Sequence, residues 1–193
     1  MTREEIYASI YTHEEIYRPP QEENCACLEV ALGCSWGKCL FCDMLEHEVE
    51  AEKRIIFRNE HFTVFLPFYC EYPYGVYIMS NAHKQYITDF TEEERMSLGL
   101  TIRDVVGMLD SLFDYKFPYM MCMHNAPVNS GDYSKDFHFH IEFFPPMRSA
   151  DKQKFNASSE TGAWAHCNPT CPEETSKELR AAYAKFMESK KGE

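Results

Sequence analysis

Residues 137–144, FHFHIEFF, carry the pattern that decides the fold. Polar and apolar residues alternate along this stretch, which is typical of a strand, because successive side chains of a strand point to opposite faces. His138, His140 and Glu142 are therefore predicted to share one face and to line a cleft, while the apolar residues between them face the core. The alternative interpretation is a polar stripe that faces solvent.

The segments around this strand predict an α+β fold with a mostly antiparallel sheet, a long helix between strands and a C-terminal helix. A capping box of Thr91 and Glu94 marks the start of the long helix, and apolar residues then recur at three- and four-residue steps. Pro172 begins the last helix, and residues 147–171 are predicted to form an irregular loop. Further strands are predicted at residues 55–57, 62–66, 76–79 and 119–123.

The composition excludes several classes of protein. Apolar residues make up 45% of the 193 residues and charged residues 26%, which is typical of a globular protein. The net charge of −12 argues against binding to nucleic acid or to a membrane surface as the main activity. Neither a membrane span nor a secretory signal is recognisable, so we expect a cytoplasmic protein.

The nine cysteines are unevenly distributed, and five of them lie between residues 25 and 42. In a reducing compartment such a cluster indicates metal binding before disulfides. Cys39 and Cys42 form a C-x-x-C pair, which together with His83 and His138 would make a complete tetrahedral zinc set. The alternative for His83 is a surface loop residue. The remaining cysteines of the later chain are interpreted as packing or incidental thiols: Cys70, Cys122, Cys167 and Cys171.

These motifs resemble the histidine-triad (HIT) superfamily and, within it, the galactose-1-phosphate uridylyltransferase family. The resemblance covers about four-fifths of the chain. It predicts a HIT-like domain over residues 39–193, preceded by an N-terminal extension over residues 1–38. The motifs that carry it are Cys39-Leu-Phe-Cys42, Ser80-Asn-Ala-His83, Cys122-Met-His-Asn-Ala-Pro127, His138-Phe-His-Ile-Glu-Phe-Phe-Pro-Pro146 and Arg148-Ser-Ala150 with Lys154-Phe155.

The resemblance implies a nucleotidyltransferase. His140 would attack the α-phosphorus of a UDP-sugar, release hexose 1-phosphate and carry the uridylyl group to a second hexose 1-phosphate. Imidazole suits this role because it is both a nucleophile and a leaving group near neutral pH. The resemblance also implies the zinc set named above, a phosphate contact at Lys154 and a homodimer. Further candidates for binding the anionic substrate are Asn125, Arg148 and Lys152.

Glu142 departs from the catalytic half of the family, which carries glutamine at this position, so the strand looks more like the supporting half. A carboxylate beside an anionic phosphate is repulsive unless it is protonated or bound to metal. In supporting halves a metal can lie among the equivalents of His124, His140 and Glu142, so a second ligand set competes with the first, and iron competes with zinc. The alternative function is a non-catalytic or hydrolytic module that binds nucleotide or metal.

Residues 17–44 also resemble the opening of some radical-SAM proteins. Cys34, Cys39 and Cys42 would then hold three irons of a [4Fe–4S] cluster, for which thiolates are the usual ligands. The barrel that should follow is absent from the sequence pattern. An iron–sulfur protein is therefore the third hypothesis.

Overall fold

The structure, a computed structural model, describes residues 39–128 and 131–192. The predicted extension, residues 1–38, lies outside the described residues, and the division into extension and domain stays a prediction. The elements in chain order are α1 (Leu40–Ala51), β1 (Ile55–Arg58), β2 (Phe62–Phe65), β3 (Tyr77–Ser80), a 3-10 turn (Ile87–Asp89), α2 (Glu92–Leu112), β4 (Met120–His124), β5 (His140–Phe144), β6 (Met147–Ser149), β7 (Lys152–Gln153), α3 (Ser158–Ala163), α4 (Pro172–Ser189) and a final 3-10 turn (Lys190–Gly192).

Five strands form one sheet in the order β1-β2-β3-β5-β4, and every neighbouring pair is antiparallel. Strands β6 and β7 form a separate hairpin. The predicted α+β class with a mostly antiparallel sheet is confirmed. Because β5 lies between β3 and β4, it brings the polar residues of three strands to one region of the sheet.

Helices α2 and α4 pack on each other and cover one face of this sheet. The predicted capping box is present: Thr91 Oγ1 accepts from the Glu94 backbone N–H at 3.2 Å, and Glu94 accepts from the Thr91 N–H at 2.7 Å. Such a cap contributes about 1 kcal/mol. The apolar side of α2 is buried against sheet residues, including Val64, Ile78 and Ile141.

Helix α1 covers part of the opposite face. Phe41 and Leu45 pack there against Phe65 and Met79 of the sheet. The helix ends at Ala51, so the charged segment after residue 45 continues the helix. This placement matters for function, because Cys39 is the N-cap of α1 and Cys42 lies in its first turn.

Two expectations about local structure are wrong. Strand β5 begins at His140 and not at residue 137, because the Phe137 N–H donates to Tyr133 O and the Phe139 N–H donates to Lys84 O. Residues 147–171 contain the β6–β7 hairpin and α3, which are too short to produce a periodic pattern. Within the part of the chain that the structure describes, no helix is long and apolar enough to cross a membrane.

Candidate functional site

Two groups of potential metal ligands lie side by side at the start of β5. The first ligand set consists of Cys39, Cys42, His83 and His138, and one atom of each lies within 4.8 Å of the others. Cys42 Sγ is 3.1 Å from His83 Nδ1 and 3.3 Å from His138 Nδ1. The start of α1, the loop after β3 and the segment before β5 thus converge on one point. The sequence named these four residues, and the fold brings them together.

Hydrogen bonds fix the proton positions of both histidines in this set. Ser80 Oγ donates to Ala82 O at 2.9 Å, so its lone pair accepts the Nε2–H of His138 at 2.8 Å. His83 Nε2 lies 2.9 Å from Ser134 O, which can only accept. Each imidazole therefore presents a bare Nδ1 lone pair to the Cys42 sulfur. This arrangement is typical of metal-binding histidines, whose second nitrogen is held by an outer partner.

The two thiols of the first ligand set share a proton unequally. The hydrogen bond with the Cys42 side chain lowers the pKa of Cys39 to about 6, although burial acts in the opposite direction. Hydrogen bonds from backbone N–H groups at the start of α1 lower this pKa further. The hydrogen bond between the two side chains raises the pKa of Cys42. Burial, followed by the nearby His83, lowers the pKa of His138 to about 4. Near neutral pH the set therefore offers a thiolate and a neutral imidazole, the forms that bind metal.

The second ligand set consists of His124, His140 and Glu142, again with ligand atoms within 4.8 Å of one another. Glu142 Oε1 is 3.5 Å from His124 Nε2 and 3.3 Å from His140 Nε2. Both Nε2 atoms are buried and lack a hydrogen-bond partner of suitable direction. His140 Nδ1 donates to His138 O at 2.8 Å, which leaves its Nε2 as a bare lone pair.

The two ligand sets have no residue in common, and which of them binds a metal stays a prediction. His138 precedes β5 and belongs to the first set, whereas His140 and Glu142 lie on β5 and belong to the second. The single row of three polar residues expected from the sequence is therefore divided in two.

His140 is enclosed by aromatic rings and is 0% exposed. It stacks on His124 with ring centroids 4.6 Å apart, and Tyr77 stacks parallel to it at 5.7 Å. Phe41 of α1 lies 4.4 Å from the ring. Neither Phe41 nor Tyr77 was singled out from the sequence, because an aromatic residue beside a site has the same pattern as one in the core.

A small cavity of about 130 Å³ lies beside Glu142. Its lining includes two carboxylates and three tyrosines, which are Glu71, Glu142, Tyr69, Tyr72 and Tyr77. Burial, followed by the neighbouring Tyr69 and Glu142, raises the pKa of Tyr77. The second ligand set thus adjoins the cavity through its carboxylate.

The four candidate substrate-binding residues are dispersed. Asn125 accepts from the Ile87 N–H at 3.0 Å, and Lys152 is exposed on β7. Arg148 lines a separate groove of about 580 Å³ formed with the ends of α2 and α4. Lys154 pairs with Glu160 and lies over the Tyr72 ring, 5.1 Å from its centroid, so it is the candidate nearest to the cavity. Their substrate-binding roles stay predictions.

The iron–sulfur hypothesis concerns Cys34, which lies outside the described residues. Its other two members, Cys39 and Cys42, are placed with two histidines in the first ligand set. Sequence reasoning also missed the contact of Ser80 with the first ligand set. Ser80 was noted only as the first letter of a motif, although its hydroxyl orients His138.

Comparison with known proteins identifies the family of this chain. Residues 12–182 match the family described as galactose-1-phosphate uridyl transferase, C-terminal domain. The chain is 40% identical over 183 residues to galactose-1-phosphate uridylyltransferase of Thermotoga maritima, covering 91% of this chain and 56% of that protein. A solved uridylyltransferase structure superposes with a TM-score of 0.74 at 30% identity, over 88% of this chain and 52% of that one.

A smaller relative shares the fold alone. A zinc-bound histidine-triad protein from Mycobacterium smegmatis matches with a TM-score of 0.51 at 20% identity, over 78% of this chain and 96% of that one. This chain thus spans little more than half of the two uridylyltransferases above and nearly all of the Mycobacterium chain. By motif, fold and extent of match, the chain belongs to the galactose-1-phosphate uridylyltransferase family, as a form of its C-terminal domain.

Proposed function

We propose that this chain takes part in uridylyl transfer between hexose 1-phosphates, with a nucleotide sugar as donor. The observation that carries the proposal is the 40% identity with the Thermotoga enzyme over 91% of the chain. The test supplies UDP-glucose and galactose 1-phosphate to the purified chain and measures UDP-galactose and glucose 1-phosphate. Equal formation of both products supports the transfer, and glucose 1-phosphate formed without an acceptor would indicate the hydrolytic alternative.

The first ligand set is proposed to hold zinc. Two thiolates and two imidazoles are the ligands of closed, tetrahedral structural zinc sites. The support is the bare Nδ1 of His83 and of His138, each held in that form by a partner on its other nitrogen. Zinc would supply a rigid connection between α1 and the segment before β5. Elemental analysis of the protein purified without added metal tests this assignment against iron.

His140 is the candidate nucleophile, and its tautomer suits that role. Nδ1 donates to a backbone carbonyl, which supports positive charge on the ring, and Nε2 carries the lone pair that would attack phosphorus. Trapping UDP-glucose labelled at the α-phosphorus as a phosphoramidate on His140 tests this role. The matched control is His47→Gln, since His47 is an exposed histidine of α1 outside both ligand sets. Label that persists in a His140→Gln variant would exclude the mechanism.

A specific observation favours a second candidate function, in which the second ligand set binds metal and His140 does not carry the uridylyl group. His140 is fully buried, and the Glu142 carboxylate lies 3.3 Å from the nitrogen that would attack. Glu142 would repel a phosphate there but would attract a cation. Glu142→Gln separates the two functions. Transfer should rise if the carboxylate only obstructs substrate, whereas metal content should fall if the carboxylate is a ligand.

The compartment and assembly of the chain belong to the same proposal. All six cysteines in the described ranges are free thiols, which supports a reducing compartment such as the cytoplasm. A homodimer is proposed from the family resemblance alone. Light scattering of the purified chain measures its mass in solution, and a monomer at micromolar concentration would contradict the dimer.

A further inference from the structure

The register of β4 and β5 places four potential ligands at the corners of one small grid. His124 lies opposite His140, and Cys122 lies opposite Glu142. Residues two apart on a strand share a face, so all four side chains belong to the same side of the sheet. Three of them form the second ligand set, and Cys122 is the fourth corner.

Among the residues that the structure describes, the second ligand set supplies three ligands, two nitrogens and one carboxylate oxygen. A tetrahedral zinc ion takes a fourth ligand, which comes from the protein in structural sites and from water in catalytic ones. The His140 side chain is 0% exposed, and its Nε2 is aimed into the set with no hydrogen-bond partner. A buried bare lone pair of this kind indicates a bound cation, and it does so independently of the cysteine.

The dimensions of the grid suit a thiolate ligand. Diagonal neighbours on adjacent strands lie about 7–8 Å apart, so the centre of the grid is about 4 Å from each corner. A C–S bond and a Zn–S bond of about 2.3 Å, bent at the sulfur, reach about 3.3 Å from the Cβ atom, which is close to that distance. The Cys122 sulfur lies outside the second ligand set, and the side chain is exposed, so it has room to turn toward the centre.

We propose that Cys122 is the fourth ligand of a zinc-class cation held by His124, His140 and Glu142. The inference rests on the metal-binding role proposed for that set. The thiolate and the Glu142 carboxylate together would balance the two positive charges of the ion. A sulfur ligand also favours zinc over hard cations such as magnesium. A set of four protein ligands is closed, so it would hold β4 and β5 together and leave His140 no lone pair for attack on phosphorus.

The experiment measures how fast iodoacetamide modifies individual cysteines of the whole chain, by peptide mass spectrometry, with and without added Zn²⁺. Cys167 provides an internal reference, since it is exposed and lies outside both ligand sets. Zinc should slow alkylation of Cys122 at least tenfold and leave Cys167 unchanged. His124→Ala should abolish this protection, because Cys122 alone cannot retain the ion.

Metal stoichiometry separates failure of this inference from failure of the second ligand set. The wild-type chain should bind two equivalents of zinc, and Cys122→Ser should bind the second at least tenfold more weakly than the Cys167→Ser control. Two equivalents with Cys122 still freely alkylated would overturn the fourth ligand and leave the three-residue set intact. One equivalent in the wild type, unaffected by His124→Ala, would overturn both. Neither measurement uses substrate, so both can be interpreted whether or not the chain transfers uridylyl groups.

Discussion

Replacing Ser80 with alanine tests the idea that outer hydrogen bonds prepare the first ligand set. Ser80 is 2% exposed, and its hydroxyl both donates to Ala82 O and accepts from His138 Nε2. The variant leaves a buried imidazole N–H without a partner, which costs about 1–3 kcal/mol. It also releases the imidazole to rotate or to change tautomer, so that Nδ1 no longer faces Cys42 in a fixed form.

The expected effect on metal binding follows from the same geometry. Loss of an outer partner of a ligating histidine weakens metal affinity about 10- to 100-fold. The His138 ring is itself 1% exposed, so water has little access to replace the lost hydroxyl. We therefore expect the variant to lose about 1.4–2.7 kcal/mol of zinc binding energy, since each factor of ten corresponds to about 1.4 kcal/mol.

Two measurements check this prediction. Zinc titration against a competing chelator gives the affinity, and urea unfolding of the metal-free protein gives the stability. The matched control is Ser111→Ala, whose hydroxyl donates at 2.8 Å to Gly107 O of its own helix and is far from the ligand sets in the fold. The control should change stability by less than about 0.5 kcal/mol. A Ser80→Ala protein with wild-type zinc affinity would refute the preorganisation argument.

Three other predictions concern stability. Gly107→Ala would bring a methyl group into overlap with three carbons of the Phe186 ring and should cost about 1–2 kcal/mol in urea unfolding. Gly99→Ala, on the same helix with nothing within 4 Å, should stabilise the protein by about 0.5–1 kcal/mol. Changes of the same sign in the two variants would contradict this packing. The bond from Lys154 lowers the pKa of Glu160 to about 2, from an ordinary value of 4.5. As the pH falls, the Glu160 carboxyl of the unfolded chain is protonated before that of the folded chain, so stability is lost between these two pH values. Glu160→Gln should reduce this loss. Urea midpoints measured above and below this pH range check the prediction. Removing metal with a chelator should lower the thermal midpoint and added zinc should restore it, whereas an unchanged midpoint would argue against a structural metal.

Elements of the fold could be predicted from the sequence wherever the interactions that form them are local. The capping box of Thr91 and Glu94 and the spacing of apolar residues after it depend on residues three or four apart, and α2 forms as expected. The start of β5 depends on other strands instead. The pairing of β5 with its two neighbouring strands begins at His140, which lies opposite Met79 and His124. Residues 137–139 lie before this point, and the backbone N–H groups of Phe137 and Phe139 bond to loops instead.

The same distinction applies to the candidate site. The residue types of both ligand sets could be read from the sequence, because C-x-x-C and alternating histidines are local patterns. Both sets were also predicted as such, the second from the family resemblance. The tautomer of His138 could not be predicted, because it depends on Ser80, which is 58 residues away. The pairing of Lys154 with Glu160 was also missed, because it requires the loop between them to fold back toward α3.

The spacing of the first ligand set along the chain has a consequence for biosynthesis. Cys42 precedes its partner His83 by 41 residues and His138 by 96. A growing polypeptide therefore exposes two thiols long before the second imidazole leaves the ribosome. The zinc proposed for this set would therefore gain its fourth ligand only after strands β1 to β4 have been synthesised, while β5 and the last two helices are still to come. The two thiols would have to be kept reduced until then.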